Sequence, residues 1–269
     1  MSYRNVFALI LGSSSGFGRA TAIELAKKGY NIYGAHLDIG PARKKAEELI
    51  EELQSYGIKV KFFNVNAAND NKRKEIIGTI KNDFKNEDNP ALRVVVHSLA
   101  FGSIKPFFSE DFEEMTTRKH IEMTMDVMAN SLLYWVQDLF KENLLAKNSR
   151  IFAMTSIGSE RSMIHYGAVS AAKAALESYI RQIAVELAPY QITANAIMAG
   201  LTDTPAAQKI PGFNMMLKHA KEHNPFRRNT VPEDVAQAVS MLADEKFYWI
   251  NGQTIPVDGG ESILNFIEI

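Results

Sequence analysis

With 269 residues, 46% apolar and 23% charged, the chain suits one large α/β domain or two small ones around a substantial core, and its net charge of −1 provides no basic field for nucleic acid. It contains no cysteine, which excludes disulfides, thiolate metal sites and a cysteine nucleophile and fits a reducing, cytoplasmic setting. The first apolar run is six residues long and no long one follows, so neither a signal peptide nor a membrane span is expected.

Residues 6–11 form a continuous apolar run, as in a strand buried on both faces. A glycine-rich turn follows, then a helix over 20–28 closed by Gly29. The pattern continues with a strand at 31–35, a charged amphipathic helix at 41–56 with Pro41 near its start, a strand at 60–65 and a helix at 72–84. A strand at 94–96 precedes one long helix over about 121–145. Then come a strand at 151–154, a helix at 166–187, a strand at 192–197, a helix at 232–243 and a strand at 253–257. This alternation predicts an α/β fold: a single-domain, Rossmann-type doubly wound parallel sheet of about seven strands, helices on both faces, occupying residues 1–269. Segments 102–117 and 206–230 are the longest interruptions. The second, extended to about 203–230, reads as an apolar lid carrying Met215, Met216, Leu217 and Phe226, or as a helical excursion packed on the core.

The turn after the first strand reads Gly12-x3-Gly16-x-Gly18. Glycines there permit a tight turn and let backbone N–H groups approach a pyrophosphate at a helix N-terminus, so Gly12, Ser14, Ser15, Gly16, Phe17 and Gly18 form a candidate nucleotide-binding loop. After the second strand, Asp38 follows His36 by two residues. An acidic side chain at that point binds a ribose 2′-hydroxyl and repels a 2′-phosphate, which leans the cofactor towards NADH over NADPH. Arg43, Lys44 and Lys45 are either phosphate ligands or a solvated helix face.

The glycine spacing resembles that of the short-chain dehydrogenase/reductase superfamily, with Leu11 in place of its threonine; Lys173, the Pro232-Glu-Asp-Val-Ala segment and the stretch from Asn251 to Gly260 match further family sequences. The resemblance implies that Asn66 and Ala67 after the third strand, Ser98, Leu99 and Ala100 after the fourth, and Gly200, Thr202 and Thr204 after the sixth contact an NAD(P)H cofactor together with Lys173. It also implies a homotetramer, or a dimer, built on the helices flanking the fifth strand. The apolar tail at 263–269 adds to that expectation.

The usual family spacing is Tyr-x3-Lys, but here Val169 stands four residues before Lys173 and the tyrosine is Tyr166, seven before it. Read as a helix, positions four and seven share a face while the start of the side chain moves by roughly 4–5 Å along the axis. Ser156 keeps the family serine's distance from the lysine, so only the tyrosine has moved. Tyr-x6-Lys is similar to the enoyl-acyl-carrier-protein reductases, as are His97-Ser98-Leu99 after the fourth strand and Met128 where the superfamily has its asparagine.

That resemblance implies NAD(P)H-dependent reduction of the C2=C3 double bond of an enoyl thioester, carried on acyl-carrier protein or on CoA, as in fatty acid biosynthesis. Tyr166 would stabilise the developing enolate, Lys173 would hold the ribose and lower the tyrosine's pKa, and Ser156 would be a second donor. Phe101, Met163, Met215 and Met216 are candidates for the apolar substrate groove, and Lys218, Lys221, Arg227 and Arg228 for docking an acidic carrier protein. His165 and His97 read as structural, and no metal-ligand cluster is evident. Reduction of a ketone or alcohol such as a 3-oxoacyl thioester, and non-catalytic cofactor sensing, remain as other readings.

Overall fold

A computed structural model describes residues 5–264. The expectation for the tail at 263–269 therefore falls mostly outside the described residues. Seven strands form one parallel sheet: β1 (Val6–Leu11), β2 (Asn31–His36), β3 (Val60–Asn64), β4 (Ala91–His97), β5 (Leu145–Ser156), β6 (Thr193–Ala199) and β7 (Thr254–Val257), in spatial order β3-β2-β1-β4-β5-β6-β7. The order reverses at β1, so the crevice for a ligand opens at the carboxyl ends of β1 and β4.

Helices α1 (Gly16–Lys27), α2 (Pro41–Ser55) and α8 (Pro232–Leu242) cover one face, burying Leu25, Leu49, Leu53 and Val239 against Ile10, Val94, Val96 and Phe152. Helices α3 (Asp70–Phe84), α5 (Ser131–Lys141) and α6 (Gly167–Leu187) cover the other, where Ile76, Ile80, Leu132, Trp135 and Leu176 pack on Leu9, Leu11, Val95 and Ile151. Alternate residues of β1 serve the two cores, which is why its apolar run is unbroken.

Strands β4 and β5 begin at Ala91 and Leu145, ahead of the expected 94 and 151, and three helices depart from the sequence expectation. Helix α1 begins at Gly16, not 20, because the last part of the glycine turn is itself the first helical turn. The single helix expected over 121–145 is α4 (Arg118–Met125), a π-turn (Asp126–Asn130) and α5, ending at Lys141. In the π-turn, Ser131 Oγ donates to the Val127 carbonyl four residues back at 2.8 Å, a hydroxyl-to-backbone bond of the kind that distorts a helix. The chain then turns at Asn143, with φ of 54°, and Leu145 opens β5. The third difference is at α6, which starts at Gly167. Tyr166 stands just ahead of it with φ −103° and ψ 1°, and His165 before it has φ of 65°.

Candidate active site

The glycine loop is packed backbone on backbone. Gly12 has φ of 87°, and a Cβ there would lie 2.4 Å from the Ser98 carbonyl oxygen; a Cβ on Gly18 would lie 2.0 Å from the Gly12 carbonyl oxygen. Only glycine fits either position, and the close approach leaves the start of α1 open. Its N-cap, Ser15, is exposed and makes no side-chain capping bond, so the first-turn N–H groups are available to an anion. Thr204 lies against Gly16, 3.3 Å from where its Cβ would be, so the 200–204 segment meets the loop. Thr202 is turned inward, donating to the Gly200 carbonyl at 2.9 Å. Ser14 and Phe17 are half-buried, Phe17 against the core beneath α1. These residues fit a dinucleotide: a cradle that side chains would fill, at an uncapped helix start. Ser13 was not anticipated; it is fully buried, and its N–H and hydroxyl both donate to the Ala35 carbonyl.

At the end of β2, His36 Nδ1 and Asp38 Oδ2 are 2.7 Å apart, with His36 buried and stacked at a tilt near Phe62. The Asn64 side chain clamps the Asp38 backbone twice, at 3.0 Å and 2.9 Å. One carboxylate oxygen is thus held while the residue stays partly open. The basic run of α2 pairs along its own helix, Arg43 with Glu47 and Lys44 with Glu48, as a solvated face does. Asn66 is exposed and its side chain accepts from Ala68 N–H; Ala67 is buried, its carbonyl accepting from Trp135 Nε1 at 2.8 Å. Ser98 N–H donates to the Leu11 carbonyl at 2.8 Å. Leu99 packs on the core, and Ala100 is exposed at the crevice.

The centre of the site lies between β5 and the head of α6. Lys173, 5% exposed, donates from Nζ to the Met154 carbonyl at 2.6 Å. Tyr166 is buried, with Oη 3.5 Å from Ser156 Oγ. Its ring lies against Gly158, where a Cβ would come within 2.5 Å. The structure therefore brings Tyr166, Ser156 and Lys173 onto one strand–helix junction. It does so through the loop before α6, not through helical periodicity, since Tyr166 is not in the helix.

Burial pulls the Lys173 pKa down to about 8, opposed by the charge of Glu177. Burial pushes Tyr166 up, opposed by the Ser156 hydrogen bond. This corrects the expectation that Lys173 lowers the tyrosine: desolvation dominates, and the phenol keeps its proton more firmly than a free tyrosine. His97 is fully buried at the end of β4, with Nε2 2.8 Å from Ser131 Oγ, and burial with the nearby Lys173 charge lowers its pKa to about 3. It is a neutral, structural imidazole. His165 precedes α6 rather than lying within it.

The segment 203–230 contains α7 (Phe213–His223), which buries Phe213 and Ala220. Its ends are tethered to the turn after β7. Leu201 N–H donates to Glu261, and Asn224 Nδ2 donates to the Asp258 carbonyl at 2.8 Å. Met215 is 77% exposed and Phe101 61% exposed, while Met216 is half-buried and Met163 packs on the core beside Tyr166. Phe107, not anticipated, lays its ring on Gly167 at the head of α6. In the basic patch, Arg228 is committed to a two-pronged pair with Asp234, Lys218 pairs with Glu222, and Arg227 donates to the Glu222 carbonyl.

An open parallel sheet with a glycine cradle at its switch point, and a lysine–tyrosine–serine group at the end of β5, defines a nicotinamide-dependent oxidoreductase of the short-chain dehydrogenase/reductase class. The family profile described as enoyl-(acyl carrier protein) reductase matches residues 12–262, and the chain belongs to that family. It is 30% identical over 258 residues to the NADH-dependent enoyl-acyl-carrier-protein reductase FabI of Aquifex aeolicus, covering 96% of this chain and 91% of that one. It is 29% identical to the NADPH-dependent FabI of Staphylococcus aureus over 81% of each. The crystal structure of the Aquifex aeolicus NADH enzyme superposes with a TM-score of 0.84 at 25% identity, covering 99% of this chain and 100% of that one.

Proposed function

We propose that this chain reduces the C2=C3 double bond of an enoyl thioester with NAD(P)H. The carrying observation is the displaced tyrosine: Tyr166 sits ahead of α6 beside Ser156, while Lys173 keeps its place against β5. Held by the glycine loop and Lys173, a nicotinamide would supply the hydride for the β carbon. Charge then develops on the thioester oxygen, two bonds further on, and a hydrogen-bond donor for that oxygen belongs at a different distance from one serving a ketone. Tyr166, kept protonated by burial, donates a hydrogen bond to that oxygen, and the α carbon of the enolate takes its proton from solvent water to complete the reduction. Ser156 Oγ, itself accepting from Gly158 N–H at 3.3 Å, faces the phenol at 3.5 Å. Lys173 gives one hydrogen to Met154 and has two left for the ribose hydroxyls.

We assign the cofactor to the glycine loop and the ends of β2, β4 and β6, and the partly exposed Asp38 carboxylate, held by His36, supports NADH as the preferred form. Met163 and Phe101 flank the acyl path, with the 203–230 segment of this single domain as its lid and Met215 and Met216 on the lid helix. We further propose an acyl-carrier-protein substrate, a cytoplasmic location and a homotetramer. The exposed Val185 on α6 supports burial of that helix against a second copy. Among the described residues no helix is long and apolar enough to cross a membrane.

Oxidation of NADH and NADPH followed with crotonyl-CoA, beside acetoacetyl-CoA, tests the reading. Enoyl turnover that Tyr166→Phe lowers on the order of 100-fold or more is expected, the size of losing one oxyanion donor. Turnover of the keto substrate alone would overturn it.

A further inference from the structure

Strand β5 presents three consecutive groups to α6. The Met154 carbonyl takes Lys173, and the Ser156 hydroxyl faces Tyr166; the one between them has no part in the reading above. Thr155 Oγ1 donates to Glu177 Oε1 at 2.5 Å, and the two residues are 4% and 7% exposed. Glu177 lies four residues beyond Lys173, on the same face of α6 and one turn deeper. A buried ionised carboxylate is costly unless a positive charge or strong hydrogen bonds offset it. Glu177 has the Thr155 hydroxyl, and its charge acts on Lys173. The other ionisable groups around Lys173 are His97 at the end of β4, which stays neutral, and Tyr166 at the head of α6; β5 contributes only a carbonyl and hydroxyls. Among these groups Glu177 is the one anion that opposes the effect of burial on the lysine.

We propose that Glu177, oriented by Thr155, is a positioning residue that keeps the Lys173 ammonium charged and directed at the cofactor ribose, so that cofactor binding and turnover persist into mildly alkaline solution. The inference rests on the role given to Lys173 above. Geometry supports it independently of turnover. Glu177 stands one turn beyond Lys173 on the same face of α6, and Thr155 fixes its carboxylate from the strand whose Met154 carbonyl receives the lysine. Loss of the carboxylate leaves Lys173 in the same apolar pocket with no opposing charge, so the ammonium releases its proton at lower pH.

The test uses the full-length enzyme, with NADH affinity read by its fluorescence and kcat/KM read with crotonyl-CoA, across a pH series. In Glu177→Gln the alkaline midpoint of both should move towards acid by about half a pH unit or more. The KM for NADH should rise on the alkaline side, with values near wild type in acid. Glu177→Asp, which keeps the charge, should restore most of the midpoint, and Thr155→Val should shift it in the same direction by less. An unmoved midpoint, or a loss equal at every pH, would overturn the inference. If Glu177→Gln does not fold, Thr155→Val gives the same readout with the same decision. Lys173→Met separates the two levels. Normal NADH affinity in that variant overturns the lysine's role and this inference with it. Lost affinity together with an unmoved Glu177→Gln midpoint overturns this inference alone.

Discussion

Replacing Lys173 by methionine should make the cofactor-free protein more stable while destroying its activity. The lysine falls from an ordinary pKa of 10.5 to about 8 because its ammonium is buried. At about 1.4 kcal/mol per pKa unit, holding that charge in the folded protein costs about 3 kcal/mol near neutral pH. Methionine fills the same stem volume without the charge but forgoes the bond to the Met154 carbonyl, a loss of about 1 kcal/mol. A net gain of about 2 kcal/mol is expected at neutral pH. The cost to the wild type is fully present below pH 8, where folded and unfolded chains both hold the proton. Between about 8 and 10.5 the folded chain releases it first, so wild-type stability from this group rises with pH and the methionine advantage fades. Urea unfolding of both proteins at equal concentration, once near neutral pH and once midway through that window, measures the gap. A methionine variant less stable than wild type at neutral pH, or a gap that does not shrink on the alkaline side, would refute the reasoning.

Gly18→Ala places a methyl group 2.0 Å from the Gly12 carbonyl oxygen, so the loop must move; NADH affinity by fluorescence titration should fall at least about tenfold and the melting temperature by several degrees. Wild-type affinity in that variant would remove the loop from the cofactor site. Asp38→Ala breaks the contact with His36 and should raise the KM for NADH about tenfold while leaving NADPH unchanged or improved. Equal changes for both cofactors would dismiss Asp38 as the discriminating residue.

Much of the architecture was legible because strands buried on both faces must be apolar throughout. The runs in β1, β4 and β6 have few other readings, and the glycine cradle carries its spacing openly. The distance from Tyr166 to Lys173 was equally plain, and it led to the family. What escaped was set by tertiary contact. The π-turn at Asp126–Asn130 leaves no periodic signature in a segment that reads as continuous helix. Spacing alone puts Tyr166 on the helix, because nothing local marks His165 as left-handed. The upward direction of the tyrosine's pKa comes from burial, which residue spacing does not reveal. Thr155 and Glu177 are ordinary residues in sequence, and only the strand–helix contact shows one holding the other. A glutamate four residues after an expected catalytic lysine was the available signal.

The placement of Tyr166 ahead of α6 separates two things that an in-helix tyrosine would tie together. A phenol inside the helix is locked to its lysine by the helix screw, so it can move only in whole-residue steps around a fixed cylinder. Here the lysine belongs to the rigid helix and the phenol to the loop that enters it, hinged at His165. Evolution can therefore reposition the proton donor by rewriting residues 157–166 while the cofactor anchor, the sheet and the helix stay as they are. One scaffold can thus be retuned from carbonyl to alkene chemistry by changing only the segment 157–166 between β5 and α6.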